Sequence, residues 1–335
     1  MRNDITLIAP KIKGFSGTKS YVENAIEGLK LNDIRFDLKY IKKVEISLFG
    51  KPYFGIITQG IRSSLVNTNG RVIHALSPEV VSRNTNVVTI HDVIPFTKPE
   101  IYMKTYYDKV AYNLAFKKTL KVDNLLVSTE YGKRQLMTIG DLGNRKIHVV
   151  PHSIRHTDFY YDPSSPFANR SINVVMLSDY NPRKKIDKIV EVLRGSKEIS
   201  FYHIGPSQSW VTNYERIAKL AEGFDNIHLM GPLPVEQVRR YLSNANAFIY
   251  LSEEEGFGYP VLEALACGTS VLINDIPVFK ELFSEVASFC KLDEFSVEDV
   301  LSASKIVNRD RFESFSQRFS VKEMGRNLSS VYEKL

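Results

Sequence analysis

The chain has 335 residues, 43% hydrophobic and 24% charged, with 18 glycines and 14 prolines. That profile excludes collagen-like and low-complexity chains, and the length suits two domains rather than one core. The net charge of +6 is uneven: residues 1–150 carry 23 lysines and arginines against 13 acids, residues 151–335 carry 21 against 25.

No apolar run approaches the ~18 residues that would span a bilayer. The opening Met1-Arg2-Asn3-Asp4-Ile5 turns polar before any secretory signal could form, and Cys267 and Cys290 are too few for a disulfide framework or a zinc cage. A reducing, cytoplasmic setting is the expectation. The basic first half points to a phosphate-bearing partner, either an anionic membrane surface or nucleic acid, unless it is only a solvated face.

In chain order, Ile5–Ala9 reads as a buried strand ended by Pro10, and 21–29 has helical spacing. Val87–Ile90 and Asn124–Ser128 are further strands. The pattern repeats with strands at 173–177, 199–204, 247–251 and 270–273, and with helices at 186–193, 213–221 and 235–242 between them. Apolar runs without polar alternation suit strands covered on both faces, so the expected class is α/β, with two doubly wound Rossmann-like domains. Turn-rich Tyr161-Asp162-Pro163-Ser164-Ser165-Pro166 lies in the expected boundary region, and 321–335 reads as a terminal helix.

The most informative stretch is 253–268, Glu-Glu-Glu-Gly-Phe-Gly-Tyr-Pro-Val-Leu-Glu-Ala-Leu-Ala-Cys-Gly. It follows a strand and opens a helix, with Pro260 suited to the first helical position and Gly268 to the stop. Gly256 and Gly258 let backbone approach a ligand, and the helix start suits a diphosphate. Glu255 and Glu263 would repel that diphosphate, so they are better explained as acceptors for sugar hydroxyls; the bland alternative is an acidic turn before a core helix. Asn181-Pro182-Arg183-Lys184-Lys185 also follows a strand, where clustered cations can neutralise a diphosphate. Gly14-Phe15-Ser16-Gly17-Thr18-Lys19-Ser20 invites a P-loop reading, but Thr18 stands where glycine must precede the lysine.

Glu255 and Glu263, within Glu-Gly-Phe-Gly-Tyr-Pro-Val-Leu-Glu-Ala, resemble the donor-site motif of retaining GT-B glycosyltransferases of glycosyltransferase family 4, the mannosyltransferase-like group. Asn226–Gly231, Asp275–Glu281, Ser128–Tyr131 and Lys146–Ser153 resemble further passages of that family, with His152 in place of the usual Asn. The resemblance implies that Glu263 holds the nucleotide's ribose. Glu255 with Gly256, Phe257, Gly258 and Tyr259 would meet the donor sugar, and Lys184 the β-phosphate. The family's upstream arginine is missing, since Ser178 and Asp179 stand there, and Arg183 or Lys185 is expected to supply the second charge. Gly17 matches a glycine loop facing the donor phosphates, and His91, in Thr89-Ile90-His91-Asp92-Val93-Ile94-Pro95, a histidine near the reacting sugar.

The resemblance thus implies a GT-B chain whose two Rossmann-like domains face across a cleft. An acceptor-side domain would cover 1–155, a nucleotide-sugar domain 156–318, and a C-terminal helix at 319–335 would return to the first. The expected activity is metal-independent, retaining transfer of a hexose from a nucleotide diphosphate sugar, such as GDP-mannose or UDP-glucose, to a glycan or lipid-linked acceptor. His91, Glu255 and Lys184 are the expected catalytic residues, and no resident cofactor is expected. Tyr40–Val44 and Lys51–Phe54 mix cations with aromatics as a peripheral membrane surface would. Trp210 is placed near the base. The alternatives are a nucleic-acid-binding or nucleic-acid-glycosylating GT-B protein and a sugar-nucleotide epimerase.

Overall fold

A computed structural model describes residues 4–12, 16–42, 46–48, 51–53, 62–63, 71–168, 171–207 and 211–335. Trp210, Gly14, Phe15, Lys43, Val44 and Phe54 lie outside the described residues. The chain forms two units, Met1–Ser153 with Val321–Leu335, and Ile154–Ser320.

In the first unit the strands are β1 (Ile5–Lys11), β2 (Asp37–Lys42), β3 (Ile46–Leu48), β4 (Lys51–Tyr53), β5 (Val72–Ala75), β6 (Val87–Thr89), β7 (Asn124–Val127) and β8 (Lys146–Val149). Six pair in parallel in the order β2-β1-β5-β6-β7-β8, while β3 and β4 form an antiparallel hairpin. Successive side chains leave a strand on opposite faces, so Leu7 and Ile8 enter different cores. One core joins Leu7, Tyr21 and Leu29 to Met324, Leu328 and Tyr332 of the helix Val321–Tyr332. The other joins Ile8, Ile73, Val88 and Leu125 to Leu136.

β1 runs through Pro10 instead of ending there, with Pro10 opposite Ile41 of β2. The β5 pairing stops at Ile8, so the proline falls where β1 has a neighbour on one side only. Ser16 caps the helix Gly17–Leu31 by accepting from the Lys19 amide at 3.1 Å, and Thr105 and Asp108 form a reciprocal cap on Tyr106–Thr119.

In the second unit the strands are β9 (Ile172–Leu177), β10 (Ile199–Ile204), β11 (Ile227–Leu229), β12 (Ala247–Tyr250), β13 (Val271–Asn274) and β14 (Ser288–Cys290). All pair in parallel, in the order β11-β10-β9-β12-β13-β14. The chain builds outward from β9 to β11, then restarts on the other side of β9 with β12. Strand order therefore reverses between β9 and β12, and in such sheets a crevice opens there at the carboxyl ends. The unit is closed where it begins and ends: the Ile154 amide donates to the Phe319 carbonyl at 2.8 Å, and Ile154 bridges Ser320.

Candidate functional site

The loops after β9 and β12 meet at this switch point. Pro182–Lys184 forms a single 3-10 turn, started by the Asn181 side chain accepting from the Arg183 amide at 3.2 Å. The turn ends at Lys185 in the left-handed region, φ 54°, and the helix Ile186–Leu193 follows. Across from it, the Glu253 amide donates to the Arg183 carbonyl at 2.9 Å, which ties the two loops together.

The side chains then converge. Arg183 Nη1 donates to Glu255 Oε1 at 2.5 Å, to the Glu254 carbonyl at 2.5 Å and to Ser252 Oγ at 3.1 Å. Lys184 Nζ donates to the same Glu255 oxygen and to the Tyr250 hydroxyl, which donates on to Glu255 at 3.1 Å. Lys184 is 5% exposed and Glu255 9%. Burial alone would raise the Glu255 carboxyl, but Arg183 and Lys184 outweigh it and hold it at about 2. Burial, with Arg183 beside it, lowers the Lys184 ammonium.

Of the two candidates for the second charge, Arg183 joins the cluster, while Lys185 pairs with Glu253 at 3.1 Å. Ser178 Oγ lies 2.9 Å from His203 Nε2, a ring that burial keeps neutral down to about 3. Tyr250 and Ser252, not foreseen, belong to the cluster. The available signal was a hydroxyl closing an apolar strand, since a buried tyrosine needs a partner for its O–H.

Glu255-Gly256-Phe257-Gly258 leads into the helix Tyr259–Ala266. Gly258 has φ +99°, and a Cβ there would lie 2.8 Å from Phe279 Cε1, so both backbone and space require glycine. Tyr259, not Pro260, takes the first helical position; Gly258 already supplies the bend that would place proline first. The Phe257 ring is buried against Tyr259 and Phe319. Glu263 is half-buried about one turn along this helix. Burial pushes its carboxyl up to about 7 despite Arg155.

The remaining expected residues lie in the first unit. Gly17 is the exposed first residue of its helix. His91 follows β6, with Nε2 3.0 Å from the Leu76 carbonyl and its ring edge-on to Tyr21 at 4.8 Å. Burial lowers its pKa against the opposing pull of Glu79. Beside it runs a polar chain that sequence did not suggest: Tyr21 Oη to Thr89 Oγ1 at 2.6 Å, Thr89 to His74 Nε2 at 2.8 Å, and His74 Nδ1 to Tyr332 Oη at 2.7 Å.

Residues 161–303 match the family described as glycosyl transferases group 1. The O-antigen chain mannosyltransferase RfbU of Salmonella typhimurium is 23% identical over 208 residues, covering 62% of this chain and 57% of that protein. The chain spans about half the length of the curated relatives it matches. Among solved structures, sucrose-phosphate synthase from Thermosynechococcus elongatus superposes with a TM-score of 0.80 at 16% identity over 99% of both chains. Anabaena HepE in complex with UDP and glucose gives 0.71 at 12% identity, again over 99% of both. The chain has the GT-B fold of two Rossmann-like domains, and residues 161–303, within its second unit, are similar to glycosyl transferases group 1.

Proposed function

We propose that the protein transfers a hexose from a nucleotide diphosphate sugar, such as GDP-mannose or UDP-glucose, to a glycan or lipid-linked acceptor, with retention at the anomeric carbon. The observation that carries this is the Arg183–Lys184–Glu255 cluster spanning the switch point of the second sheet. Two cations held on one turn suit a diphosphate, whose charge grows as the sugar departs in an oxocarbenium-like transition state. Lys184 and Arg183 stabilise that charge, the Gly256–Tyr259 loop lines the phosphates and sugar, Glu263 holds the ribose, and Glu255 orients the hexose. The departing phosphate oxygen takes the acceptor proton. The two cations take on the charge neutralisation that a divalent metal would otherwise supply. RfbU, by its name a mannosyltransferase, and HepE, solved with UDP and glucose, support this assignment.

The acceptor side is proposed to work at an anionic membrane surface. No described helix is long and apolar enough to cross a membrane. The helix Tyr106–Thr119 leaves Tyr106 77% and Leu114 52% exposed beside exposed Lys109 and Lys117. Such a mixture suits a headgroup layer.

A thermal-shift panel of UDP-, GDP- and ADP-sugars tests the donor assignment, because a ligand at 100 Kd stabilises by about 2.7 kcal/mol. Incubating the stabilising donor with lipid-linked and glycan acceptors, then reading the product's anomer by NMR, tests the transfer. No shift with any sugar nucleotide would overturn the function, and an inverted anomer would overturn retention.

A further inference from the structure

We propose that Glu255 is an internal anion that occupies the diphosphate position while the site is empty, and that an arriving diphosphate must displace it from Arg183 and Lys184. This rests on the glycosyl-transfer function proposed above. It adds a latch: the carboxylate expected to meet the sugar is first locked onto the cations expected to meet the phosphates.

One carboxylate oxygen, Glu255 Oε1, accepts from Arg183, Lys184 and Tyr250 together. One negative charge of the chain itself thereby offsets part of two positive ones, which lowers the cost of burying the cations while the site is empty. A diphosphate brings two anionic groups to the same two donors. It cannot share them with a carboxylate a few ångströms away in a site of low dielectric, because like charges there repel strongly. Glu255 must swing off as the diphosphate arrives.

The swing also has a use. Held on the cations, Glu255 has Oε1 taken by three donors and its carboxylate fixed in place; released, it can turn both oxygens to sugar hydroxyls. Phosphate arrival thus arms the sugar-binding acid, and a free sugar without its diphosphate meets a locked site. Tyr250 is a positioning residue in this device, since its hydroxyl accepts from Lys184 and donates to Glu255, steadying the closed form.

Isothermal titration of UDP, GDP and inorganic pyrophosphate into wild type, Glu255→Gln and Tyr250→Phe decides the matter. Glu255→Gln keeps the shape and removes the competing charge, so it should bind pyrophosphate and the preferred nucleoside diphosphate about tenfold more tightly than wild type while transferring hexose more slowly. If Glu255→Gln does not fold, Tyr250→Phe, which leaves every charge in place, should still tighten pyrophosphate binding about threefold by removing one donor from the latched carboxylate. Equal or weaker binding by the folded variants, with wild type binding a nucleoside diphosphate normally, overturns the latch and leaves the proposed function standing. Failure of all three proteins to bind any of the probes overturns both.

Discussion

Gly28 and Gly325 meet backbone to backbone: a Cβ on Gly325 would lie 2.0 Å from the Gly28 carbonyl oxygen, and one on Gly28 2.5 Å from the Val321 carbonyl oxygen. Asn32 fastens the crossing by donating to the Gly28 carbonyl at 2.7 Å and the Lys322 carbonyl at 2.9 Å. The helices Gly17–Leu31 and Val321–Tyr332 therefore pack closer than any side chain between them would allow.

Gly325→Ala should destabilise the first unit by about 3 kcal/mol, the upper range for overpacking, because the atoms it strikes are backbone and cannot rotate away. That corresponds to a fall in melting temperature of roughly 6–12 °C. Thermal unfolding followed by circular dichroism checks it, and an unchanged midpoint would contradict the close crossing.

Lys184→Ala and Glu263→Ala should each lower transfer by about 10² or more, as expected when one preorganised stabiliser is removed. Initial rates with the preferred donor measure this. Near-wild-type turnover in both would remove the site assignment.

Stability should respond to pH in two directions. Glu255 is held at about 2 in the folded protein against 4.5 as its ordinary value, so its contribution is present above 4.5 and disappears as pH falls toward 2. Buried His74 and His203, each near 3 against 6.5, act in the same sense, losing their contribution as pH drops below 6.5. Glu263 does the opposite. Its carboxyl is raised to about 7, so its contribution is full below 4.5 and is lost as pH rises through 7. Glu263→Gln should therefore match wild type near pH 5 and exceed it at pH 9 by a few kcal/mol. Denaturant unfolding at the two pH values provides the comparison, and equal stabilities at pH 9 would show that Glu263 is not strained by ionisation.

Reversing two exposed lysines, Lys117→Glu with Lys121→Glu, should weaken binding to anionic vesicles at least tenfold, since each basic residue at such a surface contributes about 1 kcal/mol. Flotation with phosphatidylserine-containing and neutral liposomes measures the change. Wild type that floats equally with both would set the membrane surface aside.

The α/β class and most second-unit elements are legible in the amino-acid sequence. Strands such as Ile199–Ile204 are apolar throughout because both faces are covered, and helices such as Ile186–Leu193 carry their period openly. The strand Val72–Ala75 escaped notice, because its four residues include a histidine whose burial depends on Thr89 and Tyr332, far away in the chain. The glycine-and-acid motif was equally visible, since left-handed backbone at Gly258 and a helix start leave a local signature. Tertiary structure alone decided the partnerships. That Arg183 and not Lys185 joins Lys184, that both are held by Glu255, and that Tyr250 completes the group follow from β9 and β12 being sheet neighbours although some seventy residues separate their loops. Local sequence encodes periodicity and caps, whereas ion pairing is set by which strand edges the whole sheet brings side by side.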